Sequence, residues 1–101
     1  GASWEGFVIE QIIRRLNASP EECFFWATHG GAELDLLVVR GNKRLGFEIK
    51  LTSSPRVTPS MKSALDTLKL TELALIHAGD KTFPLGVKTR AVAFKDILTE
   101  L

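Results

Sequence analysis

The segment from residue 31 to residue 50, GAELDLLVVRGNKRLGFEIK, constrains the fold more than any other part of the chain. It consists of two apolar, β-prone arms joined by Gly41-Asn42, a dipeptide that favours a two-residue hairpin loop. If these two residues form the loop, counting back along both arms places Asp35 directly opposite Glu48. The segment therefore predicts two antiparallel strands that carry carboxylates at facing positions.

The alternation of side chains along a strand predicts that Glu33, Asp35, Glu48 and Lys50 share one face of this hairpin. In the same register Glu33 lies opposite Lys50. Facing residues have Cβ atoms about 4.5–5.5 Å apart, and like charges at that spacing are destabilising. The two facing carboxylates therefore require a cation. The opposite face is apolar and comprises Leu34, Leu36, Val38, Leu45, Phe47 and Ile49.

An alternative is that these charges form a salt-bridge ladder on an exposed surface, where each ion pair contributes roughly 0–1 kcal/mol. Leu37 and Val39 continue the charged face as apolar positions. A fully solvated face would not need them. The charges are therefore expected at the mouth of a covered region.

The order of the elements predicts an α/β fold with a mixed central sheet and helices on its faces. Pro59 at a first helical position and Thr58 before it indicate a capped second helix. The predicted order is α-β-β-β-α-β-β-α. The elements besides the hairpin are a helix over residues 4–16 capped by Ser3, a strand over 23–28, a helix from 59, a strand over 73–78, a strand over 87–93 and a terminal helix over 95–101.

Glu5 occupies an unusual position in the first predicted helix. Helical periodicity places it inside the apolar arc, between Ile12 and Leu16. A buried carboxylate costs several kcal/mol unless it is paired or neutralised. The alternative is that Glu5 reaches water and interacts with the positive end of the helix dipole.

Composition narrows the class of protein. The chain has 101 residues, of which 45% are hydrophobic, so we expect one small domain spanning residues 1–101. One cysteine excludes a disulfide framework and favours a reducing cytoplasm. No apolar run reaches about 18 residues, which disfavours a membrane role. The first residue is not methionine, and a fragment of a longer protein is expected.

The facing carboxylates suit a hard divalent cation. Mg²⁺ or Mn²⁺ prefers oxygen ligands, and Asp35, Glu48 and the backbone carbonyl of Ile49 would supply three. A bound metal ion polarises a phosphate and lowers the pKa of a bound water. Lys50, adjacent on the same face, would orient that water or offset charge on the phosphate. These parts together indicate metal-assisted hydrolysis of a phosphodiester.

Glu5, Asp35 and Glu48-Ile49-Lys50, in this order of elements, resemble the PD-(D/E)xK nuclease superfamily. The resemblance implies a restriction-endonuclease-like α-β-β-β-α-β core. Residues 4–7 (WEGF), 31–35 (GAELD) and 47–50 (FEIK) are similar to one branch in particular. That branch is the uncharacterised C-terminal domain that follows a AAA+ ATPase module in bacterial and archaeal proteins. The resemblance covers nearly the whole chain.

The resemblance also implies roles for individual residues. Asp35 and Glu48 would match the metal ligands and Lys50 the catalytic lysine. Glu5 would match the first-helix acid of the resolvase-like members. Glu33 would be a further ligand or a partner of Lys50. The chain departs from the superfamily pattern at the position before the aspartate, where it has leucine instead of proline, as many members do.

The loop after Lys50 contains Ser53, Ser54 and Arg56, which could hold a DNA phosphate or form an ordinary polar loop. The chain contains no Gly-x-x-x-x-Gly-Lys-Ser/Thr motif, so it is not expected to hydrolyse ATP. The net charge of +1 indicates weak contact with DNA by this chain alone. Activity could therefore require an ATPase module on the same chain or a second copy in a homodimer.

Three functions remain open from the sequence. The first is a metal-dependent endodeoxyribonuclease. The second is a catalytically silent module of the same fold that binds nucleic acid or protein beside an ATPase. The third is a structural domain in which the charged ladder is incidental.

Overall fold

The computed structural model describes residues 3–101, which form a mixed sheet with helices packed on both faces. In chain order the elements are α1 (Trp4–Leu16), a 3₁₀ turn (Pro20–Glu22), β1 (Cys23–Ala27), β2 (Glu33–Arg40), β3 (Lys43–Lys50), α2 (Pro59–Thr67), β4 (Glu72–His77), β5 (Phe83–Pro84), β6 (Thr89–Ala93), a second 3₁₀ turn (Phe94–Asp96) and α3 (Ile97–Glu100). The predicted α/β class is confirmed. None of the helices described here is both long and apolar enough to cross a membrane.

Both predicted helix caps are present. The hydroxyl of Ser3 accepts a hydrogen bond of 3.0 Å from the backbone N–H of Gly6 at the start of α1. The hydroxyl of Thr58 accepts one of 3.2 Å from Met61, and Pro59 begins α2. Each cap satisfies a backbone donor that the helix itself leaves free.

The sheet formed by the described residues has six strands in the order β1-β2-β3-β4-β6-β5. β2 runs antiparallel to β1 and to β3, and β5 runs antiparallel to β6, whereas β3, β4 and β6 run parallel to one another. A parallel pair needs a long crossover, and α2 provides it between β3 and β4. The short strand β5 was not predicted, and the last long strand begins at Thr89 rather than Val87.

The two faces of the sheet carry separate apolar cores. The core under α1 contains Val8, Ile12, Leu36, Val38, Phe47, Ile49, Ala74, Ile76, Val92 and Ile97. The core under α2 contains Leu34, Leu37, Met61, Ala64, Leu70, Leu73 and Leu75. Because both faces are covered, β4 is apolar almost throughout, as expected of a central parallel strand.

The register of the hairpin is the one predicted from the sequence. Arg40 pairs with Lys43, and the ladder continues in the predicted register to Leu36 and Phe47. Gly41 in the loop has a φ of 63°, which glycine adopts without a steric penalty. This register brings Asp35 and Glu48 to the next position along the ladder.

The assignment of Leu34 to the face of Leu36 was wrong. Leu34 packs in the core under α2, on the opposite side of the sheet. The cause is a shift in the pairing of β1 with β2, where Phe25 alone faces two residues, Asp35 and Leu36. This bulge interrupts the alternation of side chains along β2. Regular alternation, on which the prediction of one face with four charged residues rested, therefore does not hold along this strand.

Gly46 lies where a larger side chain would meet buried atoms. A Cβ there would be 2.7 Å from Cδ1 of Leu70 and 3.0 Å from Cδ1 of Leu73. We expect Gly46→Val to lower the free energy of unfolding by about 1–3 kcal/mol, because overpacking outweighs the strand preference of valine. Urea unfolding measures this change. Gly86→Val is the control, since no atom lies within 4 Å of a Cβ at Gly86; an equal loss in both variants would contradict the overpacking argument.

Candidate metal and catalytic site

The candidate site lies where β2 and β3 separate. Their backbone pairing ends at Leu36 and Phe47. Beyond this point β2 remains paired with β1 as far as Glu33, and β3 remains paired with β4 as far as Lys50. Beyond this point each of the two strands is paired only with its other neighbour, and the gap between β2 and β3 is filled by side chains.

Two carboxylates occupy this gap and accept the hydrogen bonds that backbone carbonyls would accept in a regular ladder. The backbone N–H of Ile49 donates to Oδ2 of Asp35 over 2.8 Å. The backbone N–H of Asp35 donates to Oε1 of Glu48 over 3.3 Å. Each carboxylate is thus held by the main chain of the other strand, which confirms that Asp35 and Glu48 are neighbours.

The main chain of Ile49 also faces the gap. The N–H and C=O groups of one residue in a strand point to the same neighbouring strand. Because the N–H of Ile49 reaches Asp35, its carbonyl is directed to the same side. The carbonyl of Ile49, which the sequence predicted as a metal ligand, therefore lies on the edge of β3 that faces Asp35.

The gap opens into a cleft of about 420 Å³. Its walls come from the first turn of α1, the start of β2, the end of β3 and the N-terminal end of α2. The lining residues are Glu5, Gly31, Glu33, Asp35, Glu48, Ile49, Lys50, Leu51, Thr58, Pro59 and Ser60. All of the predicted catalytic and metal-binding residues, including Glu33, therefore line one cleft.

Burial decreases from the base of the cleft outward. Glu48 is 5% exposed and Asp35 is half-buried, whereas Glu33 and Lys50 are exposed. Glu5 is also exposed, which agrees with the alternative that it reaches water and not with a buried position in the apolar arc. It belongs to the first turn of α1, which borders the open cleft rather than the core.

The predicted phosphate-contacting loop does not line the cleft. Ser53, Ser54 and Arg56 are absent from its walls within the described part of the chain, where Thr58 and Ser60 stand instead. From the sequence, Thr58 was predicted only as a helix cap. Its position at the start of the helix that follows the predicted catalytic strand was the available signal, but only the packing of α2 shows that this end of the helix lines the cleft with the carboxylates.

The end of β3 is anchored to the end of β4. Lys50 pairs with the buried His77 across these parallel strands. The N–H of Ala78 donates to the carbonyl of Thr52 over 3.0 Å, just beyond the strand. This contact fixes the main chain that carries Lys50, while its side chain remains exposed.

Comparison with known proteins places the chain in a family. A family profile matches residues 1–97, which is nearly the whole chain. The chain belongs to DUF4143, a domain of unknown function. It is similar to the uncharacterized protein Mb2031c of Mycobacterium bovis and to the uncharacterized protein Rv2008c of Mycobacterium tuberculosis. Each is 46% identical over 99 residues, which is 98% of this chain and 22% of the relative.

The chain thus spans 22% of the length of these mycobacterial relatives. No solved structure matches it.

The electrostatics of the DUF4143 cleft centre on Glu48. The pKa of Glu48 is raised to about 8, chiefly by burial and also by hydrogen bonding to and charge repulsion from the Asp35 carboxylate, while the charge of Lys50 opposes these effects. In the metal-free protein near neutral pH, Glu48 therefore retains its proton. A divalent cation would reverse this balance, because it favours the charged form of both carboxylates.

The donor set fits a hard divalent ion with an incomplete protein shell. Among residues 3–101, no group of three or more His, Cys, Asp or Glu side chains is placed to hold a metal ion together. Asp35 and Glu48 offer two neighbouring carboxylates, with the main chain of Ile49 beside them. Mg²⁺ commonly uses one or two carboxylates and completes its octahedron with water and phosphate. Glu5 and Glu33 line the cleft without completing a third protein ligand.

Proposed function

We propose that this DUF4143 domain is a Mg²⁺-dependent nuclease module that hydrolyses DNA phosphodiester bonds. The observation that supports it most is the convergence of Asp35 and Glu48 at the separation of β2 and β3, beside Lys50. The path α1-β1-β2-β3-α2-β4, with β3 parallel to β4, is consistent with a restriction-endonuclease-like core.

In this proposal Asp35, Glu48 and the carbonyl of Ile49 hold Mg²⁺ or Mn²⁺. The metal ion supplies Lewis-acid polarisation of a phosphate and a more acidic bound water. Lys50 orients the attacking water and offsets negative charge on the phosphate. Glu5 borders the same cleft from α1 and orients water or the leaving group there.

The proposed substrate is DNA, and the proposed setting is the cytoplasm. Affinity for DNA depends strongly on phosphate contacts with lysine and arginine. The net charge of the chain is only +1, so additional contacts are expected from an ATPase module on the same full-length chain or from a second copy. Both the module and its role are parts of the proposal.

The first test is metal binding. Isothermal titration with Mn²⁺ and Mg²⁺ is expected to show binding to the wild type, and Asp35→Ala is expected to weaken it about tenfold or more. Glu10→Ala is a matched control, because Glu10 is exposed on α1 and does not line the cleft. Absence of binding at millimolar metal, or equal loss in the control, would exclude the proposed site.

A second candidate is a catalytically silent module that binds nucleic acid or protein. The two-carboxylate site favours this alternative, because among the described residues no third acidic side chain joins it. Incubation of plasmid and branched DNA with the wild type and Mg²⁺ separates the two functions. Metal binding without any cleavage would support the silent module.

A further inference from the structure

β1 is an open edge of the sheet. It is the first strand in the sheet order and pairs only with β2 within residues 3–101. Its sequence, Cys23–Ala27 (CFFWA), has no charged residue and no proline. Phe24 is 49% exposed and Phe25 is 66% exposed. Edge strands usually carry charges or proline that prevent pairing with another chain, and β1 has neither.

The free backbone groups on this edge can be assigned from the ladder. The residues that close a two-residue hairpin loop form a hydrogen-bonded pair, and every second pair of the β2–β3 ladder repeats it. Val38 therefore points its N–H and C=O to β3, and Leu37 points its own to β1. Phe24, the partner of Leu37, points toward β2. The N–H and C=O of Phe25 and of Ala27 thus face away from the sheet.

We infer that β1 pairs with β1 of a second copy of this chain in an antiparallel dimer whose two-fold axis passes beside Phe25. In this register Phe25 faces Phe25 of the second copy, and both of its outward backbone groups are satisfied. The N–H of Ala27 faces the carbonyl of Cys23 of the second copy. The two sheets become one continuous sheet across the dimer.

The side chains of β1 favour a second copy of this chain over a different protein as the partner of this edge. Phe24 lies on the face of Leu37 and Trp26, under α2, and Phe25 lies on the α1 face. Self-pairing therefore places Phe24 beside Trp26 of the second copy on one face and the two Phe25 rings together on the other. Facing aromatic pairs stabilise antiparallel strands. Because β1 has no charged residue, self-pairing of β1 brings no like charges together.

The flanks of β1 are also compatible with a second copy. An antiparallel arrangement brings the start of one strand to the end of the other. Glu21, exposed before β1, then approaches His29, exposed after β1 in the second copy. An acid thus meets a side chain that can donate a hydrogen bond to it, rather than another acid.

Sedimentation equilibrium of the 101-residue chain, from about 1 μM to about 500 μM, tests the inference. The wild type is expected to approach twice the monomer mass of 11.1 kDa. Phe25→Lys is expected to raise the dimer Kd by about 100-fold or more, because it removes the aromatic contact and places two lysines opposite each other. The exposure of Phe25 means that the monomer should remain folded, which circular dichroism checks.

Leu98→Lys is the matched control, because Leu98 is also an exposed hydrophobic residue but lies on α3. It is expected to dimerise as the wild type does. Hydrogen exchange gives a second readout: the N–H groups of Phe25 and Ala27 should be protected at high concentration and lose protection in Phe25→Lys. A wild type that stays monomeric throughout overturns the inference. So does a dimer that Phe25→Lys leaves intact.

Discussion

Replacing Lys50 with alanine is expected to reduce Mg²⁺-dependent DNA cleavage by about 10²–10⁴-fold while leaving metal binding close to that of the wild type. Lys50 lines the cleft beside Glu48 but is exposed, and an ammonium group does not coordinate a cation. Its loss therefore removes charge stabilisation and water orientation without removing a ligand. Because the side chain is exposed, the stability of the fold should change little.

Nicking of supercoiled plasmid by wild type and Lys50→Ala, purified side by side, measures this effect. Titration of both proteins with Mn²⁺ verifies that the metal site persists. Lys62→Ala is a charge-matched control, because Lys62 is exposed on α2 and does not line the cleft. Equal cleavage by wild type and Lys50→Ala would indicate a contaminating nuclease. Equal loss in the two lysine variants would indicate a general effect of charge on DNA binding.

Replacing Glu48 with glutamine is expected to have opposite effects on stability and on metal binding. The folded-state pKa of Glu48 is raised from 4.5 to about 8, chiefly by burial. The proton is thus bound more tightly in the folded state than in the unfolded state. The stability that results is fully present below about pH 4.5 and is lost as the pH rises through about 8.

Metal-free wild type should therefore lose free energy of unfolding, on the order of 3 kcal/mol, between about pH 5 and about pH 8. Glu48→Gln is always neutral and should not show this part of the pH dependence. Its amide oxygen can still accept the N–H of Asp35, so the local geometry is retained. At about pH 8 without metal, the variant is expected to be more stable than the wild type.

With saturating Mg²⁺ the order should reverse. A ligand that binds only the folded state stabilises it, and the variant lacks one of the two charged ligands. Urea unfolding at several pH values, with EDTA and with about 10 mM Mg²⁺, measures both effects. Parallel pH profiles for the two metal-free proteins would show that Glu48 is already ionised. Equal stabilisation by Mg²⁺ would show that Glu48 is not a ligand.

Local signals in the sequence were reliable where neighbouring residues determine the structure. Gly41-Asn42 predicted the loop, and the register from Arg40–Lys43 to Leu36–Phe47 followed from it. Ser3 and Thr58 predicted the two helix starts, because a cap bonds only to residues in the next turn. The two-residue strand β5 had no comparable local signal, since it exists only by pairing with β6.

The positions that the sequence misjudged depend on contacts between distant segments. Leu34 faces the core under α2 because the pairing with β1 contains a bulge, which alternation within β2 cannot reveal. Glu5 is exposed because the first turn of α1 borders the cleft, although helical periodicity placed it in the apolar arc. Thr58 and Ser60 enter the cleft wall only through the packing of α2.

By itself the sequence determined the α/β class, the hairpin and the proximity of Asp35 to Glu48, because a two-residue loop transmits its register along both strands. The tertiary structure decided how those carboxylates are used. It ends the β2–β3 ladder just before them, since each strand continues with another partner, and it buries Glu48 at the base of a cleft. Burial and the nearness of a second carboxylate, rather than residue type, make Glu48 hold a proton or require a metal ion.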